Sequence, residues 1–137
     1  DEEVINKSGR CVAALVKEQG WQAFRDLESQ VLVHVSQKGG QIIATGGGMV
    51  LRPENRGIMA KGQVVYLEAS AELLMRRLGH DPKDDQRPSL TGKDIRKEVQ
   101  DVLAERADLY ADCADLVVDA GLKADEVVEA ICRELGL

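Results

Sequence analysis

Three consecutive glycines, Gly46-Gly47-Gly48, follow directly on the run Ile42-Ile43-Ala44-Thr45. A short run rich in β-branched residues and ended by glycine predicts a buried strand, Ile42–Thr45, rather than a helix. Glycine lacks a Cβ, so three in a row let the main chain take left-handed angles and approach a ligand closely. In open α/β sheets, ligands sit at the carboxyl ends of strands, which is where this triplet would fall. Taken alone, the triplet suits a flexible turn equally well.

The rest of the chain decides between the two. Asp1–Ser8 and Val12–Gln19 predict short helices, closed by Gly9 and Gly20 as C-terminal caps. A longer helix, Trp21–Gln37, carries Phe24, Leu27, Val31 and Val35 at helical spacing. Past the triplet come a helical turn over Glu54–Met59, a second strand at Val64–Leu67, and a helix capped by Ser70. The stretch His80–Gly92 is polar, holds Pro82 and Pro88, and has no apolar period; its length suits a lid over about residues 80–91. A helix from Asp94 to Ala111, a third strand at Leu116–Val118 and a last helix with Val127, Val128, Ile131 and Leu135 complete the chain. Strands alternating with helices predict an α/β fold, a parallel sheet covered by helices. The 137 residues are expected to form one domain that opens with the helices of residues 1–37.

Composition narrows the partners. Aromatic residues are only 3%, so the core must come from Leu, Val, Ile and Ala. A net charge of −6 argues against nucleic acid but leaves room for a local basic pocket. No apolar stretch approaches the roughly 20 residues that span a membrane. Three cysteines in no Cys-x-x-Cys pattern point to free thiols in the cytoplasm and to no metal site.

Three arginines are the chemical candidates. Arg106 falls on the apolar stripe of its helix, four residues after Val102 and four before Tyr110. A guanidinium there needs an anion, either an internal carboxylate or a ligand. Arg25 follows core-facing Phe24 and has Glu28 one turn on, the spacing of a surface ion pair or of an orienting partner. Arg87 lies in the expected lid, before Pro88. Arginines converging on a glycine-rich loop would suit a carboxylate or phosphate, which the planar fork binds bidentately. Asp1 is open between an N-cap and a hydroxyl acceptor. His34 and His80 have no partner at ligand or triad spacing. The triplet makes a poor G-x-G-x-x-G match because Leu51 stands at the third glycine, and no Walker A loop occurs in the 137 residues.

Taken together, the segments Gly20-Trp21-Gln22-Ala23-Phe24-Arg25-Asp26-Leu27-Glu28, Ala44-Thr45-Gly46-Gly47-Gly48-Met49-Val50, Val64-Val65-Tyr66-Leu67, Gln86-Arg87-Pro88-Ser89-Leu90-Thr91-Gly92 and Glu105-Arg106-Ala107-Asp108-Leu109-Tyr110 resemble the shikimate kinase family. They stand in the family's order and spacing and cover nearly the whole chain. The resemblance implies a three-layer P-loop kinase fold and ATP-dependent phosphorylation of the 3-hydroxyl of shikimate, in aromatic amino acid biosynthesis. It implies ATP as co-substrate, Mg2+, shikimate as the other small-molecule partner, and a cytoplasmic monomer. It makes the helices of residues 1–37 substrate-binding, Arg25 and Arg106 the clamp on the shikimate carboxylate, and Gly46, Gly47 and Gly48 the loop beside the substrate ring. It makes Arg87 the lid arginine at the transferring phosphate, Arg77 the arginine stacked on adenine, and Asp1 the hydroxyl acceptor and candidate base. In the family, a strand, a phosphate-binding loop, a helix and a second strand precede the position of Asp1. The expectation is therefore a fold N-terminally incomplete as given, and a 137-residue chain inactive by itself. The alternatives are a gluconate kinase-like small-metabolite kinase and a non-catalytic carboxylate-binding remnant.

Overall fold

Gly20 shapes the first part of the structure. The helical run α2, Val12–Val35, is continuous except at Gly20, whose φ of 84° and ψ of 168° lie outside the helical region. A side chain there would clash with its own backbone, so only glycine can join the two halves at this angle without strain. The kink folds the halves toward each other and lets α1, Glu2–Ser8, close over them. The result is a core of Val4, Val12, Leu15 and Phe24, with Val16, Trp21, Leu27 and Val31 packed around it. Trp21 and Phe24 meet edge to face at 5.7 Å, a favoured aromatic geometry.

This computed structural model describes residues 2–80 and 94–137. They fall into two compact units, 2–58 and 59–80 with 94–137. In the first, a single 3-10 turn at Met49–Leu51 and helix α3, Pro53–Met59, follow the glycine triplet. The expected strand at Ile42–Thr45 is not formed. Residues 41–46 run without regular structure and Ile42 is wholly exposed, at 104%. A strand exists only when a ladder partner satisfies its main chain. Among the described residues of this unit there is no other strand, so β-branching supplies the tendency without the partner.

The second unit is built on two parallel strands, β1 (Val65–Glu68) and β2 (Leu116–Asp119), in the register Val65 to Leu116 and Glu68 to Asp119. Asp115 starts the pairing, its carboxylate accepting from the Val64 amide at 2.7 Å. Helices α4 (Ala71–His80), α5 (Ile95–Cys113) and α6 (Ala124–Leu135) accompany the pair. The Ser70 hydroxyl caps α4 by accepting from Leu73 N at 3.2 Å, as its position in the sequence predicts. Glu126 accepts from Lys123 N at 2.9 Å and secures the start of α6. The helices Glu2–Ser8, Val12–Val35, Ile95–Cys113 and Ala124–Leu135 agree with the sequence expectations to within a few residues, as do both strands. The expected lid lies almost wholly outside the described residues. Among the described residues, no helix is long and apolar enough to cross a membrane.

Tyr66 of β1 stacks on Tyr110 of α5, with centroids 5.0 Å apart. Burial, then the nearby Glu68 and Tyr110, raise the Tyr66 pKa above its ordinary value of 10.0. The folded protein therefore favours neutral Tyr66. Its contribution to stability is fully present below the unfolded pKa of about 10 and is lost as pH rises through the higher folded value. Urea unfolding midpoints measured from pH 8 to pH 11 should fall less steeply at the alkaline end for Tyr66→Phe than for the parent.

Candidate functional site

The glycine triplet and α2 meet at Arg25. Gly46 has φ 73°, a conformation closed to most side chains, while Gly48 does not. Gly48 is constrained by space instead. A Cβ placed on it would overlap the Arg25 guanidinium. The main chain at Gly48 thus lies directly against a cationic side chain from another element.

Arg25 is held there from its own helix. Its Nη1 donates to Glu28 Oε2 at 2.5 Å, and the two side chains are only 14% and 5% exposed. The guanidinium carbon lies 5.3 Å from the Trp21 ring centroid and 5.2 Å from that of Phe24. Two faces of aromatic charge and one carboxylate stabilise a cation that burial alone would disfavour. Of the two sequence readings of this spacing, a surface ion pair and an orienting pair, the structure shows a buried orienting pair. Glu28 takes one of the five guanidinium donors, and the planar fork can offer others to an anionic ligand.

The segment after the triplet is fixed by polar contacts that the sequence reading passed over. Leu51 N donates to Gly48 O at 3.2 Å, closing the 3-10 turn. Asn55 is 2% exposed, and its Nδ2 donates to Met49 O at 3.2 Å. Arg56 Nη1 donates to Val50 O at 2.7 Å. Arg52 reaches back to α2, with Nη2 donating to Asp26 Oδ1 at 2.7 Å and Nη1 to Ser29 Oγ at 3.2 Å. A cue was present. Arg52-Pro53-Glu54-Asn55-Arg56 is densely polar immediately after the apolar Met49-Val50-Leu51, whose main-chain carbonyls need donors close by in the chain.

In the second unit, Arg106 is 8% exposed on α5, as its place on the apolar stripe requires. Arg77 on α4 donates from Nη2 to Ala120 O at 2.6 Å, just beyond the carboxyl end of β2. That is the end of a parallel strand at which α/β proteins bind ligands. Asp1 and Arg87 lie outside the described residues. His34 is exposed on α2, and Cys11, Cys113 and Cys132 are free thiols. Among the described residues, no group of three or more His, Cys, Asp or Glu side chains could hold a metal ion.

A buried, oriented arginine laid on a glycine triplet, and a second arginine at the end of a parallel strand, belong to an α/β protein and are groups of the kind that bind anions. Comparison with known proteins makes this specific. The family model for shikimate kinase matches residues 1–136. "Shikimate kinase 2" of Sodalis glossinidius is 47% identical over 136 residues, covering 98% of this chain and 78% of that protein. The shikimate kinase of Nitratidesulfovibrio vulgaris is 45% identical over 132 residues, covering 96% of this chain and 75% of that protein. Among solved structures, shikimate kinase from Acinetobacter baumannii in complex with shikimate superposes with a TM-score of 0.89 at 27% identity, over 99% of this chain and 76% of that one. The enzyme from Aquifex aeolicus gives 0.82 at 29% identity, over 99% and 78%. The fold is that of the P-loop kinases, and the chain belongs to the shikimate kinase family.

Two substitutions separate what holds this site. Glu28→Ala strands a buried guanidinium and should lower unfolding stability by about 3 kcal/mol, read from urea midpoints. Gly46→Ala should cost about 1 kcal/mol through its positive φ alone, because the space a Cβ would enter there is open.

Proposed function

We propose that this protein is an ATP-dependent kinase that phosphorylates the 3-hydroxyl of shikimate, and that Arg25, Arg106, the glycine triplet, Asp1, Arg87 and Arg77 divide the work. The observation that carries the proposal is Arg25, a cation held by Glu28 and laid against the main chain of Gly48. An oriented guanidinium beside bare backbone is suited to a small carboxylate that comes close to the main chain. Shikimate has one carboxylate and three ring hydroxyls, and the solved Acinetobacter baumannii relative is described in complex with it.

Arg25 and Arg106 bind the carboxylate, each as a fork donating to its oxygens. Gly46, Gly47 and Gly48 present bare main chain beside the ring. The Asp1 carboxylate accepts from the ring hydroxyls and takes the proton of the 3-hydroxyl as its oxygen attacks the γ-phosphorus. The bond from that phosphorus to the β-bridging oxygen breaks, and ADP carries the leaving electron pair. Arg87 faces the transferring phosphoryl group, where negative charge spreads over the equatorial oxygens. Arg77, already tied to Ala120 O, presents its planar group to adenine. The family implies Mg2+ with ATP. The described residues offer no acidic cluster for it, so the ion's ligands are not assigned to them. The protein acts in the cytoplasm as a monomer.

Steady-state kinetics with the full-length enzyme test this division. A carboxylate contact exists equally in ground and transition states, so Arg106→Ala and Arg25→Ala should raise the shikimate KM by roughly 30-fold, about 2 kcal/mol each, with kcat little changed. Arg87→Ala should do the reverse, lowering kcat by about 10²-fold and leaving the shikimate KM within about threefold. Equal phosphorylation of gluconate and shikimate by the parent would overturn the substrate assignment. An unchanged shikimate KM in Arg106→Ala would remove that residue from the site.

A further inference from the structure

The triplet and α2 hold each other through two arginines that run in opposite directions. Arg25 leaves α2 and lies on Gly48. Four residues past Gly48, Arg52 leaves the loop and returns to α2. Its two contacts fall just beyond Arg25 along the helix. Asp26 is the next residue, and Ser29 is one turn on, with its own hydroxyl donating to the Arg25 carbonyl at 3.0 Å. One guanidinium therefore grips the turn of α2 that carries the other. The 3-10 turn between Gly48 and Arg52, closed by the Leu51–Gly48 hydrogen bond, makes the connection short and stiff.

We infer that Arg52 is a positioning residue for the shikimate-binding site, setting the spacing between the glycine triplet and the Arg25 guanidinium through Asp26 and Ser29. The inference rests on the carboxylate role proposed for Arg25. Arg52 spends its guanidinium on Asp26 and Ser29, so it acts on the site through Arg25 rather than on the ligand. Asp26 is 55% exposed at its side chain, so the ion pair itself adds little to folding. Its value lies in geometry, because a ligand that bridges main chain and guanidinium senses small changes in their separation. The two-point contact also explains the need for arginine. A lysine could neutralise Asp26 but presents a single nitrogen and cannot span Asp26 and Ser29 in one plane.

The test uses full-length enzyme with Arg52→Gln, Arg52→Lys, Asp26→Asn, the double variant Arg52→Gln/Asp26→Asn, and Arg25→Ala as reference. Shikimate affinity can be read without turnover from the fluorescence of Trp21, the only tryptophan of the chain, which lies beside Arg25. We expect Arg52→Gln to weaken shikimate binding by about 5- to 20-fold, with the ATP KM and kcat within about twofold and the melting temperature within about 4 °C. Arg52→Lys should recover part of the affinity. The double variant should be no weaker than Arg52→Gln, since both changes break one contact. Shikimate affinity unchanged in Arg52→Gln while Arg25→Ala loses it would overturn the positioning role alone. Unchanged affinity in both would instead remove the carboxylate role of Arg25 and the inference with it. A fall in kcat equal to the loss of affinity, or a double variant whose losses add, would also count against Arg52 acting through this contact. Should Arg52→Gln fold poorly, Asp26→Asn reads the same contact from an exposed position. The same rise in shikimate KM is expected there, and its absence in a folded Asp26→Asn protein would sink the inference.

Discussion

Burying a guanidinium is the constraint around which the first unit is arranged. Arg25 could not sit against main chain at Gly48 without compensation, because an unpaired buried charge costs several kcal/mol. Glu28 supplies the carboxylate from one turn away, and Trp21 and Phe24 supply aromatic faces from the preceding turn. All three partners lie on the same helix as Arg25, so forming α2 is enough to assemble the cation's surroundings. The site is thereby prepared by local sequence, while the triplet has only to arrive beside it. Rigid presentation of a charged group before the ligand comes is what makes such a contact useful for binding.

The same helix performs a second task with an unrelated device. The aliphatic core of Val4, Val12 and Leu15 needs the first half of α2 turned back on the second, and Gly20 allows that turn inside one helical run. Phe24 joins both systems. It belongs to that core and also lies 5.2 Å under the Arg25 guanidinium. In a chain with one phenylalanine and one tryptophan, both are spent within four residues of each other beside the arginine. Packing and charge stabilisation in this unit are therefore coupled through the same two rings.

Much of this could be read from the sequence, and the remainder could not for definable reasons. The helices were legible because apolar spacing and glycine stops are local signals. Burial of Arg106 was legible because a charged residue on an apolar stripe has only one place to point. The strand at Ile42–Thr45 was misjudged because a strand is a relation between segments, and composition reports on one segment only. The Arg25–Glu28 spacing was seen, but its burial depended on the approach of Gly48, about twenty residues away in the chain. Arg52, Asn55 and Arg56 were overlooked for a similar reason. Their partners are mostly main-chain carbonyls and residues of α2, and carbonyls carry no signature in a list of side chains. Arg77 could be singled out only through the family resemblance, whereas Arg87 stood out by its place in the expected lid and took a specific role only from that resemblance, as did Asp1, which the residues alone left open between a cap and a hydroxyl acceptor.

The glycine triplet shows that one residue type can be required twice within three positions for different physical reasons. Gly46 is needed for a dihedral angle, since its φ of 73° disfavours a Cβ whatever the surroundings. Gly48 has no such angle and is needed for volume, since the space its side chain would fill is already taken by Arg25. The first requirement belongs to the fold of the loop and would persist if Arg25 were removed. The second exists only because of Arg25 and would vanish with it. A site built this way ties an arginine and a glycine together as one unit, so that changing either alone disturbs the other. The Arg52 contact adds the third side of the same unit, fixing from the loop what Arg25 and Glu28 fix from the helix. The geometry of this unit therefore rests on contacts made in both directions between α2 and the loop after the triplet, rather than on any single side chain.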